Sequence, residues 1–273
     1  MTAAADRFDL VTFTSDFGID DSYVAICKGV LRRFAPHADV VDVTHTVPAQ
    51  DIRHAALVLA RTVPWFTGAV HLAIVDPGVG TDRRAVAVRA GDSVLVGPDN
   101  GLLIAAADAL GAPREAVALT NTDRFLMPVS ATFHGRDVFA PSAGQLASGC
   151  ALTDLGEPID PATLVRLPTP RIATANGCLT AEIVDVDTYG NVQLATRLHH
   201  LEQVGLAGAS EVKVTTNGAV TRALRTKSYG EVPPGTLVLY VDSAGALELA
   251  VNEGSAAHAL GATVGDDVEI RGD

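Results

Sequence analysis

A chain of 273 residues that is 48% hydrophobic and 19% charged can bury two cores and is not a disordered tail. Its 20 Lys and Arg against 32 Asp and Glu give a net charge of −12, with no basic stripe, which argues against non-specific binding to nucleic acid or anionic membranes. Three scattered cysteines outside any CxxC spacing (Cys27, Cys150, Cys178), no signal-like N-terminus and no membrane-length apolar run point to a cytoplasmic protein with reduced thiols.

In chain order, Leu10 to Phe13 predict a short strand ending in Thr14-Ser15-Asp16-Phe17-Gly18. Asp20 and Asp21 then stand where an N-cap and first-turn acids belong, ahead of a helical pattern through Val24, Cys27, Val30, Leu31 and Phe34. Val40 to Val43 predict the next strand, and Asp51 caps a second helix to about Val63. Ala69 to Asp76 read as a buried strand, Arg84 to Arg89 and Val94 to Val96 as a hairpin about Gly91-Asp92, and Leu102 to Leu110 as a helix. A loop carries Thr132-Phe133-His134-Gly135-Arg136-Asp137, before a helix of small residues from about Pro141 to Ala147. Strands alternating with helices imply an α/β domain over residues 8–160 with a mostly parallel sheet.

The texture then changes. Residues 161–175, rich in proline, suit a linker. Residues 176–273 carry short β-rich runs at Leu179–Val186, Val192–Ala195, Glu211–Thr215, Thr236–Val241 and Ala246–Val251, which read as a smaller antiparallel β-barrel or sandwich domain.

Chemistry concentrates in Asp76-Pro77-Gly78-Val79-Gly80-Thr81-Asp82-Arg83, a glycine-punctuated turn after an apolar strand. The turn brings Arg83 back towards Asp76, placing a carboxylate and a guanidinium at a strand's C-terminal end, where ligands bind in open α/β sheets. Standard signatures fail elsewhere. No third glycine completes a dinucleotide fingerprint, and no Gly-Lys-Ser/Thr closes a phosphate loop. Asp185 to Gly190 starts like a calcium loop but puts Tyr189 and Thr196 where oxygen ligands belong. Pro141-Ser142 lacks the leading glycine of a nucleophile elbow, and the histidines form no zinc grouping, so no metal or cofactor is expected. What remains is a set of polar residues after strands: Asp16, Asp51, Asp76, Arg83, Asp99, Asn100 and His134.

Four stretches, Thr14–Gly18, Val75–Gly80, Gly97–Gly101 and Phe133–Asp137, together resemble the S-adenosylmethionine (SAM) hydroxide adenosyltransferases, relatives of the fluorinating and chlorinating SAM enzymes. Tyr189-Gly190-Asn191, Asp242–Gly245 and Ala250-Val251-Asn252 extend the resemblance over essentially the whole chain. It implies an N-terminal α/β domain, a C-terminal β-barrel, a homotrimer with sites between subunits, and hydrolysis of SAM, as substrate, to adenosine and methionine. By the resemblance, Asp76, Arg83 and His134 hold and activate the attacking water, with His134 able to accept its proton, and Asp16 takes the ribose hydroxyls. Asn191 meets the adenine edge, Tyr189 and Tyr229 its faces, and Asp187 and Ser243 the methionine moiety; Val251 belongs to the same binding set.

Two other functions stay in view: a SAM-dependent halogenase and a non-catalytic adenosine or SAM sensor. The halogenating relatives carry Tyr at the Asp76 position, a hydroxyl residue at the Val79 position and tryptophan at the Gln50 position, so the resemblance favours the hydrolase. Where they have an arginine, this chain has Ala244. The remaining seven histidines are read as structural, and Asp99-Asn100 as turn scaffold as readily as ligand contact.

Overall fold

The computed structural model describes residues 7–272. The chain forms two compact units, the first ending at Leu167 and the second beginning at Pro168. No helix among the described residues is long and apolar enough to cross a membrane.

The first unit runs β1 (Leu10–Ser15), α1 (Tyr23–Phe34), β2 (Asp39–Thr44), α2 (Ile52–Thr62), β3 (Val70–Ile74), β4 (Ala85–Ala90), β5 (Ser93–Pro98), α3 (Ile104–Ala109), β6 (Pro113–Leu119), α4 (Ala140–Ala147) and β7 (Gly156–Ile159). Its sheet has the order β2-β1-β3-β5-β4-β6-β7. Pairing is parallel from β2 to β5 and antiparallel from β5 to β7. Strands β3 and β5 are buried at every residue, as parallel strands covered on both faces must be. Helices α1 and α4 pack together on one face, over a core of Phe13, Leu31, Leu72, Phe139 and Leu146. On the other face α2 packs with α3 around Leu59, Leu95 and Leu102. The chain leaves β1 for β2 on one side and comes back through α2 to β3 on the other. The order therefore reverses between the C-terminal ends of β1 and β3, the position where open sheets form a crevice.

Several details differ from expectation. Asp20 and Asp21 lie ahead of α1, whose N-cap is Ser22 without a side-chain bond, because the helix starts later than the acids suggest. Asp51 does cap α2, accepting from the His54 N–H at 2.9 Å. Strands β6 and β7 had no prediction: β6 mixes two alanines with Arg114 and Glu115, a composition of weak strand propensity. The 161–175 stretch contains a single 3₁₀ turn, Pro161–Thr163, and later Ile172–Ala175, which pairs as a strand with the segment after it.

The second unit contains β8 (Ile172–Ala175), β9 (Cys178–Val186), β10 (Val192–Arg197), α5 (Leu198–Gln203), β11 (Glu211–Thr216), β12 (Ala219–Arg225), β13 (Leu237–Val241), β14 (Ala246–Val251), α6 (Ala256–Leu260) and β15 (Asp267–Arg271). The order β10-β14-β13-β12-β11-β15-β9 closes into a seven-stranded barrel through the β9–β10 pairing, with β8 added to β9. Every pair is antiparallel except β12–β13. Alternating residues such as Leu179, Ala181 and Ile183 fill its interior.

Candidate active site

Register fixes the site. Ser15 at the end of β1 stands opposite Ile74 at the end of β3, so the residues that follow, Asp16 and Val75-Asp76, leave the sheet side by side. The chain beyond Asp76 folds into successive turns, with the Val79 N–H on the Asp76 carbonyl at 3.2 Å and the Thr81 hydroxyl on the Gly78 carbonyl at 2.7 Å. These turns carry Arg83 back, as expected. Its Nε donates to Asp76 Oδ1 at 3.0 Å and its Nη2 to Oδ2 at 2.6 Å, a bidentate pair with side chains only 8% and 6% exposed. The guanidinium also lies 5.2 Å above the Phe139 ring centroid.

His134 arrives from the far end of the unit. It caps a single π-helical turn, Gly135–Phe139, that runs into α4. Such a turn adds a residue to the helical repeat and re-aims the side chain before it, a device common at functional sites. His134 Nδ1 lies 3.1 Å from Arg83 Nη2. A guanidinium only donates, so Nδ1 is the acceptor and the neutral ring carries its hydrogen on Nε2. Asp137, in the same turn, accepts from the Ser130 N–H at 2.9 Å and from Arg136, and so ties down the loop ahead of His134.

The loop and the Asp76 turn also meet backbone to backbone. Gly80 has φ +77°, and a Cβ there would sit 2.4 Å from the Ala131 carbonyl oxygen, so only glycine permits the approach.

Burial raises the Asp76 carboxyl above its ordinary value of 3.8, against the lowering pull of Arg83. Burial also lowers the His134 imidazole below 6.5, with the Arg83 charge acting in the same sense. The two groups are thus moved towards each other: a carboxylate more basic than usual beside a ring that resists protonation.

A cleft of about 230 Å³ opens over this cluster, lined among others by Asp16, Phe17, Gln50, Asp76, Val79 and His134. Asp16 enters it from the β1 side, its Oδ2 accepting from the Gln50 N–H at 2.9 Å. Gln50 holds φ 67°, a conformation uncommon outside glycine, and its sequence carries no signal of this. Phe17, Tyr23 and Phe133 form an aromatic cluster at the cleft in which Phe133 meets the other two rings edge-on, also missed, because Phe133 is far from Phe17 and Tyr23 in sequence. Asp99 and Asn100 are scaffold: Asp99 binds Arg84 and the Val165 N–H, and Asn100 donates to the Val75 carbonyl.

In the second unit Asp187 organises the β9–β10 turn. Its Oδ1 accepts from the N–H groups of Tyr189 and Asn191 at 2.9 and 2.8 Å, and its Oδ2 from Asn191 Nδ2 at 2.9 Å. Tyr189 is 78% exposed and stands outside the barrel core. Tyr229 lies 6.1 Å from the Tyr240 ring, and the Tyr240 hydroxyl feels the charge of Asp187. Val251 closes β14 at the end where Val192 pairs with Leu249, beside the Asn191 turn. Ser243 lies in the turn at the opposite end of β14. The strand between them spans roughly 17 Å at ~3.4 Å per residue, and Gln193 of β10 bridges towards the Ser243 turn by donating to Asp242.

Residues 11–156 match the SAM hydroxide adenosyltransferase N-terminal domain, and residues 181–269 the C-terminal domain of the same name. An (R)-S-adenosyl-L-methionine hydrolase of Salinispora tropica is 51% identical, with 95% of this chain and 97% of that protein covered. The protein of the same name from Thermus thermophilus is 44% identical over 95% and 98% of the two chains. A crystal structure of an uncharacterized conserved protein from Thermotoga maritima superposes with a TM-score of 0.89 at 34% identity, covering 96% of this chain and 99% of that one. Fluorinases match more distantly, at 27% identity for one from Actinoplanes. The sheet-edge crevice and the barrel thus stand in a chain whose two halves match in order, and the protein belongs to the SAM hydroxide adenosyltransferase family.

Proposed function

We propose that the protein hydrolyses (R)-S-adenosyl-L-methionine to adenosine and L-methionine. The observation that carries this is the Asp76–Arg83–His134 cluster facing a cleft that also receives Asp16, in a chain about half identical to hydrolases named for that substrate. Water attacks the ribose C5′ as the C5′–S bond breaks, its electron pair leaving on sulfur. A sulfonium departs as a neutral thioether and needs no acid. One proton is left over from the water.

The geometry favours Asp76 as the group that takes it. Arg83 occupies one lone pair of each Asp76 oxygen and the Gly78 N–H takes a third, which leaves one open to a water, and burial makes the carboxylate more basic. His134 Nδ1 is already held by Arg83, so the ring serves better as an Nε2–H donor that positions the water than as its base. Asp16 offers a carboxylate oxygen to the vicinal ribose diol. In the barrel unit Asn191, Tyr189, Tyr229 and Val251 take the base, and Asp187 and Ser243 the methionine end. A homotrimer with sites between subunits, in the cytoplasm, completes the reading. The exposure of Tyr189 and Tyr229 supports it, since aromatic faces left open suit a stacked base.

A halogenase is disfavoured. Val79 lines the cleft without a hydroxyl, and the Asp76 carboxylate repels an anion. Incubation with each sulfonium epimer in ¹⁸O-water tests the proposal. Methionine and adenosine labelled at the 5′ oxygen are expected from the R epimer. Intact substrate, unlabelled adenosine, or a 5′-halo product when chloride or fluoride is added would refute it.

A further inference from the structure

Asp16 is held by a turn whose other supports lie outside the cleft. His45, 6% exposed, sits in the loop after β2 and meets that turn twice. Its carbonyl accepts the Gly18 N–H at 2.7 Å, and its Nδ1 lies 2.8 Å from Ser15 Oγ. On the other side of the ring, Nε2 is 3.1 Å from Asp42 Oδ1, and Asp42 Oδ2 accepts from Lys28 Nζ of α1 at 2.8 Å.

The directions of these contacts follow from the partners. The Asp42 carboxylate lies within ion-pair range of Nε2 without an aligned hydrogen bond, and this charge favours the ring hydrogen on Nε2, so Nδ1 accepts the Ser15 hydroxyl proton. That leaves a Ser15 lone pair for the Phe17 N–H, which reaches it at 3.3 Å. The chain therefore starts at a lysine on the helix surface and ends at the amide next to Asp16. The Gln50 N–H then fixes the carboxylate itself from the far end of the same β2–α2 loop. The Ser15 hydroxyl is buried and points away from solvent, so a nucleophilic role for this serine, histidine and aspartate set is not available to it.

We infer that His45, acting through Ser15, is a positioning residue that orients the Asp16 carboxylate for a vicinal diol. The inference rests on the reading of Asp16 as the ribose-diol acceptor. A rigid turn matters here because a bidentate contact to two hydroxyls tolerates little rotation of the carboxylate.

Titration calorimetry with adenosine and with 2′,3′-dideoxyadenosine isolates the diol. His45→Leu is expected to weaken adenosine about tenfold and to change the dideoxy nucleoside by less than about twofold, the scale of one hydrogen bond to a charged group. His45→Asn, whose amide stands where Nδ1 stands, should recover most of the loss. In turnover assays the same loss should enter KM, with kcat within about twofold, because a diol contact is shared by substrate and transition state. Ser15→Ala should act in the same direction and replaces His45→Leu if that variant does not fold. Equal weakening of both nucleosides, or of neither, overturns the inference. Asp16→Asn separates the two levels of failure. If it does not discriminate between the nucleosides, or the unaltered protein binds no adenosine, the reading of Asp16 falls and the positioning role with it. If it does discriminate and the His45 and Ser15 variants do not, only the positioning role falls.

Discussion

In the first unit, Asp76 and Arg83 are almost fully buried and satisfy each other, with His134 locked to the same guanidinium. In the second, Tyr189 projects into solvent, and Asp187 directs its oxygens to the backbone and side chain of its own turn. The first arrangement is complete in geometry and electrostatics before any ligand arrives, as groups that act on a reacting atom need to be. The second fixes a backbone and leaves the side chains that would meet a ligand open. On the proposed function the contrast is between a place for bond-making and a surface for recognition, and mutations should separate them in the same way.

The largest effect is expected at Asp76. Asp76→Asn should lower kcat by about 10³-fold, the middle of the range for a general base, with KM little changed. It should also lower thermal stability by about 3 kcal/mol, because the buried guanidinium loses its partner. Retention of a tenth of the wild-type kcat would break the comparison at its strongest point.

His134→Ala comes next, with about a 10²-fold loss in kcat, the scale for one active-site donor. His134→Asn can still accept from Arg83 but has no group at the Nε2 position. If it is as active as the wild type, the ring matters for holding Arg83 and not for the water.

Acidification tests the same pair. Under the proposed mechanism, protonating Asp76 removes the group that takes water's proton, and protonating His134 sets a hydrogen on Nδ1 against the Arg83 donor. Both lower activity. Since Asp76 is raised from 3.8 and His134 lowered from 6.5, the acid limb of kcat should lie between those values, with a plateau above. The fall should be about tenfold per pH unit once a single group governs. An inflection above 6.5 would show that neither shift governs turnover.

The smallest effects belong to the barrel. Tyr189→Ala should raise KM about tenfold, from the lost stacking of one base, and leave kcat and the melting temperature nearly unchanged. Asn191→Ala should do the same to a lesser degree. A fall in kcat matching that of Asp76→Asn would erase the distinction between the two units.

Much of this was legible in the chain. The period-2 and buried runs located β1, β3 and the β4–β5 hairpin, and the glycine turn returned Arg83 to Asp76. Other features were not legible, for physical reasons. Strand β12 has four exposed residues at its start, so its pattern has no buried face to announce it, and β15 is five residues with acids at two of them. The π-helical turn after His134 reflects packing of Val138 and Phe139 into the core and not any local propensity. The proton position on His134 follows from Arg83, 51 residues away, and no local signal carries it.

The contact of Gly80 with Ala131 has a wider consequence. Two loops more than forty residues apart act there as a gauge block: the spacing between Arg83 and His134 is set where their backbones touch. An insertion between Met127 and Thr132, or any side chain at position 80, would keep all three polar residues and still place them at the wrong separation. Relatives of this chain are therefore better compared by the lengths of these two loops than by the presence of Asp, Arg and His alone.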